Sequence, residues 1–412
     1  MTASQPHDST SAPRVWPLLL LLATGFLMSQ AFRTVAAIMA APLQADLGLN
    51  PQQLGLFAAA FHFAFGALQL FMGIGIDVQG LRRTVLAASP LMALGAAVSA
   101  LAPNFPVLVL GQVLIGVGSA PAFLVCTIFI ARHFAPQQYT AVSSIILGVG
   151  SLGMLLTGTP LAWLIEASSW RVGFGVLALC SAVSWTVIAL WVHEPPLPDP
   201  ARPESLRQAL RTFAGLFRLP HTASIVVLGL VTYASFIALR GLWLGPLLVQ
   251  RHGISLVAAG HWAVVLTLLA VFSLPLFGRL DPGPLRRRHW LLGGTLASAA
   301  LFALLALNLG LWMDITAMVL VGALSGYATL QYPDVKDAYE SAVIGRALAL
   351  FTMALFMGVA LMQWLTGIIA DMAQAQGLEP FGPVFWAIAI LLVLGALGFR
   401  LLPQPASVLS RK

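Results

Sequence analysis

Charge is what this sequence has least of. Only 8% of its 412 residues are Asp, Glu, Lys or Arg, where a soluble domain carries roughly a quarter. That shortage excludes an ordinary soluble chain. With 59% hydrophobic residues and a mean hydropathy of +0.91, the composition implies a polytopic, all-α membrane protein. Cysteine is nearly absent as well: Cys126 and Cys180 both lie in apolar stretches, so no disulfide framework is expected. No catalytic triad, phosphate-binding loop or metal-ligand cluster stands out, so no enzyme activity, no cofactor and no metal is expected. Met353 and Met357 share a helical face, but thioethers in a membrane helix serve mainly as core filler.

What charge there is falls unevenly. Apolar runs of about 20 residues are needed to cross a bilayer. On that rule twelve helices are expected, at 16–41, 53–76, 84–102, 106–131, 138–164, 171–193, 222–249, 255–278, 288–310, 314–333, 345–371 and 381–402. Seventeen of the 21 Lys and Arg then fall in alternate loops and the two tails, while Arg171 and Arg251 fall on the opposite side. This positive-inside pattern places both termini in the cytoplasm and explains the basic pI without nucleic acid. Arg outnumbers Lys 19 to 2, as a GC-rich bacterial genome would have it, so the bacterial inner membrane is expected.

One connection is long. Residues 194–221 open with a proline-rich stretch and continue from Ser205 as an amphipathic pattern, with Leu206, Leu210, Phe213 and Phe217 on one face. A cytoplasmic helix lying on anionic lipid is expected there, linking a six-helix half at 1–193 to another at 222–412.

The halves repeat. Arg33 is followed by Pro42, Gly48, Asp77, Gly80, Arg82 and Arg83; Arg240 is followed by Pro246, Gly253, Asp281, Gly283 and three further arginines. The offset is 207 for the arginines and 204 for the prolines and the aspartates. Such repeats build transporters whose site lies mid-membrane between the halves. Arg33 and Arg240 thus read as one repeated position, with the two side chains facing each other.

Both arginines stand inside apolar runs, where a guanidinium costs about 2.5–3.5 kcal/mol and marks a path or site. All of the acids read as loop or tail residues, so neither arginine has a mid-span counter-ion. An arginine fork suits a bidentate carboxylate or phosphate. The alternative is that both bond backbone carbonyls and simply join helices. Counted from the outer ends, Arg33 should lie roughly 12 Å deep. His62 falls level with the arginines and could contact substrate, carry a proton or serve only as a core residue. Gln69 lies two turns deeper on the same face, and Tyr233, Trp243, Tyr327 and Tyr332 are candidates for the cavity wall.

The loop Gly73, Asp77, Gly80, Arg82 and Arg83 resembles the signature of the major facilitator superfamily, although Val78 and Leu81 replace two of its basic residues. That resemblance covers essentially the whole chain. It implies twelve helices in two pseudo-symmetric six-helix halves that alternate access, with Asp77, Gly80, Arg82, Arg83 and the degenerate copy at Asp281 gating the cytoplasmic ends. The arginine pair, with Tyr233, Trp243, Pro246 and Leu247, is similar to the organic-anion branches. Gln69 replaces the helix 2 lysine of the phosphate-ester antiporters, and 138–164 lacks their histidine, which favours a carboxylate.

The expected function is therefore secondary transport of a small organic anion, in the direction of uptake, with a proton or an exchanged anion as partner. Membrane lipid surrounds the chain, and a monomer is expected. An exporter of amphipathic compounds and a transporter-like ligand sensor are the alternatives.

Overall fold

The computed structural model describes residues 15–135, 138–193, 211, 213–340 and 343–403, with the backbone alone at 70, 74, 77, 78, 140 and 285. Among the described residues there is helix and no strand, and eleven helices are long and apolar enough to span a membrane. The 29-residue helix Pro51–Gln79 supplies the remaining crossing, packed antiparallel to Ile344–Ala375.

The first crossing is split into α1 (Val15–Phe32) and α2 (Val35–Leu47), followed by α3 (Pro51–Gln79) and α4 (Leu81–Ala100). The fourth is split into α5 (Phe105–Ser119) and α6 (Ala122–His133), and the fifth into α7 (Tyr139–Leu156) and α8 (Thr159–Ala167). Helix α9 (Trp170–Trp191) ends the first half. The second half opens with α10 (Thr222–Ala238), which runs on through two π-helical turns, Leu239–Trp243 and Leu247–Arg251. Then come α11 (Leu256–Arg279), α12 (Pro284–Ala306), α13 (Leu311–Leu324) with a 3-10 stretch at Ser325–Leu330, α14 (Gln331–Ala338), α15 (Ile344–Ala375) and α16 (Phe381–Leu401). The first helix of each three-helix set (crossings one, four, seven and ten) is interrupted near its middle, as broken helices around a transport site are.

The repeat read from spacing recurs in backbone geometry. Gly48 and Gly253 both take left-handed conformations, with φ of 63° and 65°, ending the first helix of each half. Two residues later Asn50 and Ser255 cap the next helix, accepting from the N–H of Gln53 at 2.8 Å and of Ala258 at 3.2 Å. Gly80 and Gly283 have φ of 83° and 80°, a turn that a side chain would strain.

Asp46, Glu166, Arg171, Arg251 and Glu379 mark one face of the bundle; Arg82, Arg83, Arg287 and Arg288 mark the other. At the first of these faces the halves close on each other. A Cβ added at Gly245 would stand 1.8 Å from the carbonyl oxygen of Ala37, so α2 and the seventh crossing touch backbone to backbone. Gly55 and Gly367 give α3 and α15 the same closeness, with their Cα atoms crowding any added methyl at 2.8 Å. Gln250 donates to Gln44 at 2.7 Å, and the Val257 N–H at the start of α11 donates to the Glu166 carboxylate at 3.1 Å.

Helix 1 runs to Leu47, six residues past the expected end, because Pro42 is tolerated inside it. Arg33 consequently lies about 21 Å from that end, not 12 Å. The expected linker helix falls mostly outside the described residues. Its described part places Phe213 and Leu216 against Ile225 and Leu350 of the second half, while Phe217 stays 56% exposed.

Candidate anion site between the halves

Arg33 stands at the break between α1 and α2, where Arg33 and Thr34 leave the helix and Thr34 takes φ −123° and ψ 4°. Its guanidinium carbon lies 4.8 Å from the ring centre of Phe65 on α3 and 4.7 Å from that of Phe356 on α15. The cation is thus held by two aromatic rings, one from each half. Each such contact contributes about 0.5–2 kcal/mol, more as water is excluded. Nε is buried with no acceptor, and the residue as a whole is 7% exposed. Among the described residues no carboxylate pairs with Arg33.

Tyrosines complete this aromatic wall. Tyr233 meets Phe356 edge-on at 5.7 Å, and Tyr332 meets Phe351 edge-on at 5.1 Å. Tyr332 lies within electrostatic reach of both Tyr233 and Arg33 yet keeps 44% of its surface open, as a ring lining a cleft does.

Arg240 is placed differently from the expectation. It sits in the π-helical turn Leu239–Trp243 and is wholly buried, with no exposed surface. Nε donates to the Thr267 hydroxyl at 2.9 Å, Nη2 donates to the Met154 carbonyl at 2.9 Å, and Nη1 has no partner. The level of the two arginines is shared, since the Arg33 carbonyl oxygen would touch a Cβ at Gly241 at 3.0 Å. Arg240 is enclosed between the halves, bonded to Thr267 of one and Met154 of the other beside the break in the fifth crossing. Thr157 at that break donates to the same Met154 carbonyl at 3.2 Å and pairs with Thr34 at 2.8 Å. Hydrogen bonds therefore connect the irregular turns of crossings one, five and seven.

His62 is 1% exposed and stacks 6.4 Å from Phe356. Its Nδ1 lies 3.1 Å from the Ala58 carbonyl oxygen, which can only accept, so Nδ1 donates, and Nε2 is buried without a partner. Gln363, itself buried and unpartnered, faces it from α15. Gln69 is half-buried, and its amide nitrogen donates to the carbonyls of Phe65 at 3.3 Å and Ala120 at 3.2 Å. Trp243 is 2% exposed, donates to the Thr366 hydroxyl at 2.9 Å and packs edge-on against Phe381. Tyr327 is likewise buried in packing.

Of the expected gating residues, the Asp77 side chain lies outside the described set. Arg82 donates to the carbonyls of Val192 at 2.6 Å and Ala189 at 2.8 Å, tying the start of α4 to the C-terminal end of α9, where unpaired carbonyls favour a cation. Arg83 is exposed. Asp281 accepts from Arg287 at 2.7 Å and from the Gly283 N–H at 3.0 Å. The Arg287 hydrogen bond holds its carboxyl below the ordinary 3.8, with the Gly283 N–H adding to it. Arg287 also bonds Asp337, and Arg288 bonds the buried Asp334.

Spacing alone did not reveal Phe65, Phe356, Thr157 or Gln363. Phe65 could have been found, since it lies three residues after His62 and four before Gln69 on one helical face.

Comparison with known proteins agrees on the fold and family. A bacterial homologue of the human lysosomal transporter Spinster, solved in an inward-facing and occupied conformation, superposes with a TM-score of 0.77 over 95% of this chain and 97% of its own, at 18% identity. That likeness concerns the fold. The hexuronate transporter of Bacillus subtilis is 26% identical over 172 residues, 42% of this chain and 40% of the relative. The multidrug efflux protein YfmO of the same organism is 26% identical over 268 residues, 61% of each. The chain thus matches less than two thirds of these relatives' lengths. The profile of the Major Facilitator Superfamily matches residues 21–333, three quarters of the sequence and both of the arginines that interrupt its apolar helices; the chain belongs to that superfamily.

Proposed function

We propose that the chain is a secondary transporter that moves a small organic anion, a carboxylate in preference to a phosphate ester, by alternating access. One observation carries this reading: a mid-span guanidinium at a helix break, packed against two phenyl rings and lacking any described carboxylate partner. A cation so placed wants an anion, and a planar fork suits a carboxylate. The hexuronate transporter among the relatives acts on a carboxylate by its name, which agrees.

Arg33 is the primary contact. Arg240 supports it from behind by keeping the seventh crossing joined to Met154, and its free Nη1 adds positive potential. His62 and Gln69 border the site. With the basic face toward the cytoplasm of a bacterial inner membrane and both termini there, the closed face is extracellular and this conformation is inward-facing. In the opposite state Asp77, Gly80, Arg82, Arg83 and Asp281 hold the cytoplasmic ends. Transport requires the anion to grip the two states differently, because equal affinity shifts nothing. Arg33 meets that requirement by packing against a ring from each half. A proton or a second anion supplies the coupling, and the chain works as a monomer.

The efflux relative supports a second reading, export of amphipathic compounds. A cavity for cationic drugs would place an acid near its centre, and the described acids lie toward the two faces. Uptake of a radiolabelled carboxylate into proteoliposomes, compared with Arg33→Gln, tests the proposal: accumulation lost in the variant supports it, and accumulation unchanged sinks it.

A further inference from the structure

Resting on the reading of Arg33 as the anion contact, we infer that the transported anion is an aromatic monocarboxylate, not a sugar acid. The cleft around Arg33 offers one cation and a wall of rings. Phe65 and Phe356 lie 4.4 Å apart between centroids and both pack against the guanidinium; Tyr233, Tyr332 and Phe351 extend the wall by edge-on contacts. A benzene ring bound through its carboxylate to the terminal nitrogens of Arg33 would continue this edge-to-face series against the open face of Tyr332.

What a sugar acid needs is missing there. Each of its ring hydroxyls gives up water on entering and must find a protein partner, or the complex loses affinity. The amides nearest the wall are either bonded or shut away from it. Gln69 spends its nitrogen on the carbonyls of Phe65 and Ala120, and Gln331, 3% exposed, donates to Thr232 at 2.7 Å and keeps its Oε1 buried. Gln363 is fully buried behind His62 at the closed side. Apart from these shut-in amides, the wall offers the tyrosine hydroxyls, which suit one polar substituent on a ring better than a polyol. Among the described residues Arg33 is the one cation against this wall, so one carboxylate finds a partner while a second would have no cation of its own.

The probes are benzoate, cyclohexanecarboxylate and galacturonate, added to purified full-length protein in detergent and read as the concentration that gives half the maximal thermal shift. Benzoate is expected to act at a several-fold lower concentration than cyclohexanecarboxylate, with galacturonate giving no shift. Tyr332→Leu should bring benzoate and cyclohexanecarboxylate to within about twofold of each other by removing the ring contact. Tyr332→Phe, which keeps the ring, should preserve their separation and serves if the leucine variant fails to fold. Galacturonate acting as well as benzoate, or a separation that survives in Tyr332→Leu, overturns the aromatic assignment while leaving Arg33-dependent anion binding in place. Failure of all three probes, or a benzoate shift undiminished in Arg33→Gln, overturns the anion reading itself and the assignment with it.

Discussion

Nη2 of Arg240 donates to the carbonyl oxygen of Met154 at 2.9 Å, and that bond crosses from one six-helix half to the other. It joins a π-helical turn in the seventh crossing to the last turn before the break in the fifth. The contacts that close this face therefore include a charged, buried hydrogen bond made to the main chain, which no substitution at Met154 itself would remove.

Replacing Arg240 with Gln should remove that bond and leave the Met154 carbonyl with only Thr157. A hydrogen bond to a charged group is worth about 1.5–3 kcal/mol, so the closed-face conformation should lose population by about tenfold or more. Thiol labelling of a cysteine placed at Gln250 reads this directly. Labelling that stays as slow as in the parent would show that the bond does not hold the face closed.

Arg33→Lys keeps the charge and discards the fork. The expected result is an anion affinity reduced by about tenfold, equivalent to about 1.4 kcal/mol. Isothermal titration with a monocarboxylate measures it, and unchanged affinity would mean that Arg33 acts as a point charge only.

A side chain at Gly245 cannot coexist with the present contact, since a Cβ there meets the Ala37 carbonyl at 1.8 Å. Gly245→Val should hold the closed face apart and stop transport while leaving expression intact. Spin-label distances between Gln44 and Gln250 should lengthen; an unaltered distance distribution would contradict the contact.

Acid should weaken the α11–α12 turn. The Asp281 carboxyl is held below 3.8 by Arg287, so its folded form binds protons less readily than its unfolded form. A depressed carboxylate stabilises the fold above its unfolded value and loses that contribution as pH falls through the lower folded one. The Tm of the parent should drop more steeply than that of Asp281→Asn below pH about 4, and parallel slopes would refute the assignment.

Much of this was legible in the sequence. The 204-residue offset between Asp77 and Asp281 foretold the paired turns at Gly80 and Gly283, because a left-handed turn selects glycine wherever the fold repeats it. The mid-span position of both arginines was also legible. Their unlike surroundings were not: a π-turn at Leu239–Trp243 has no compositional signature, and the acceptor for Arg240 is a main-chain carbonyl that any residue could supply. The break at Arg33 and Thr34 was hidden for a similar reason, since neither residue is Gly or Pro. The rings around Arg33 come from α3 and α15, almost 300 residues apart, and such a pairing exists only once the halves are docked.

The break at Arg33 and Thr34 has a mechanical consequence. It makes the 13 residues of α2 a lever pivoted at the site, about 20 Å long at 1.5 Å per residue. A tilt of about 10° at that pivot would carry the far tip some 3.5 Å, about one hydrogen-bond length. That is enough to part Gln44 from Gln250 while α1 stays still. A change of grip at one guanidinium can thereby unlock a face of the protein that the bound molecule never touches.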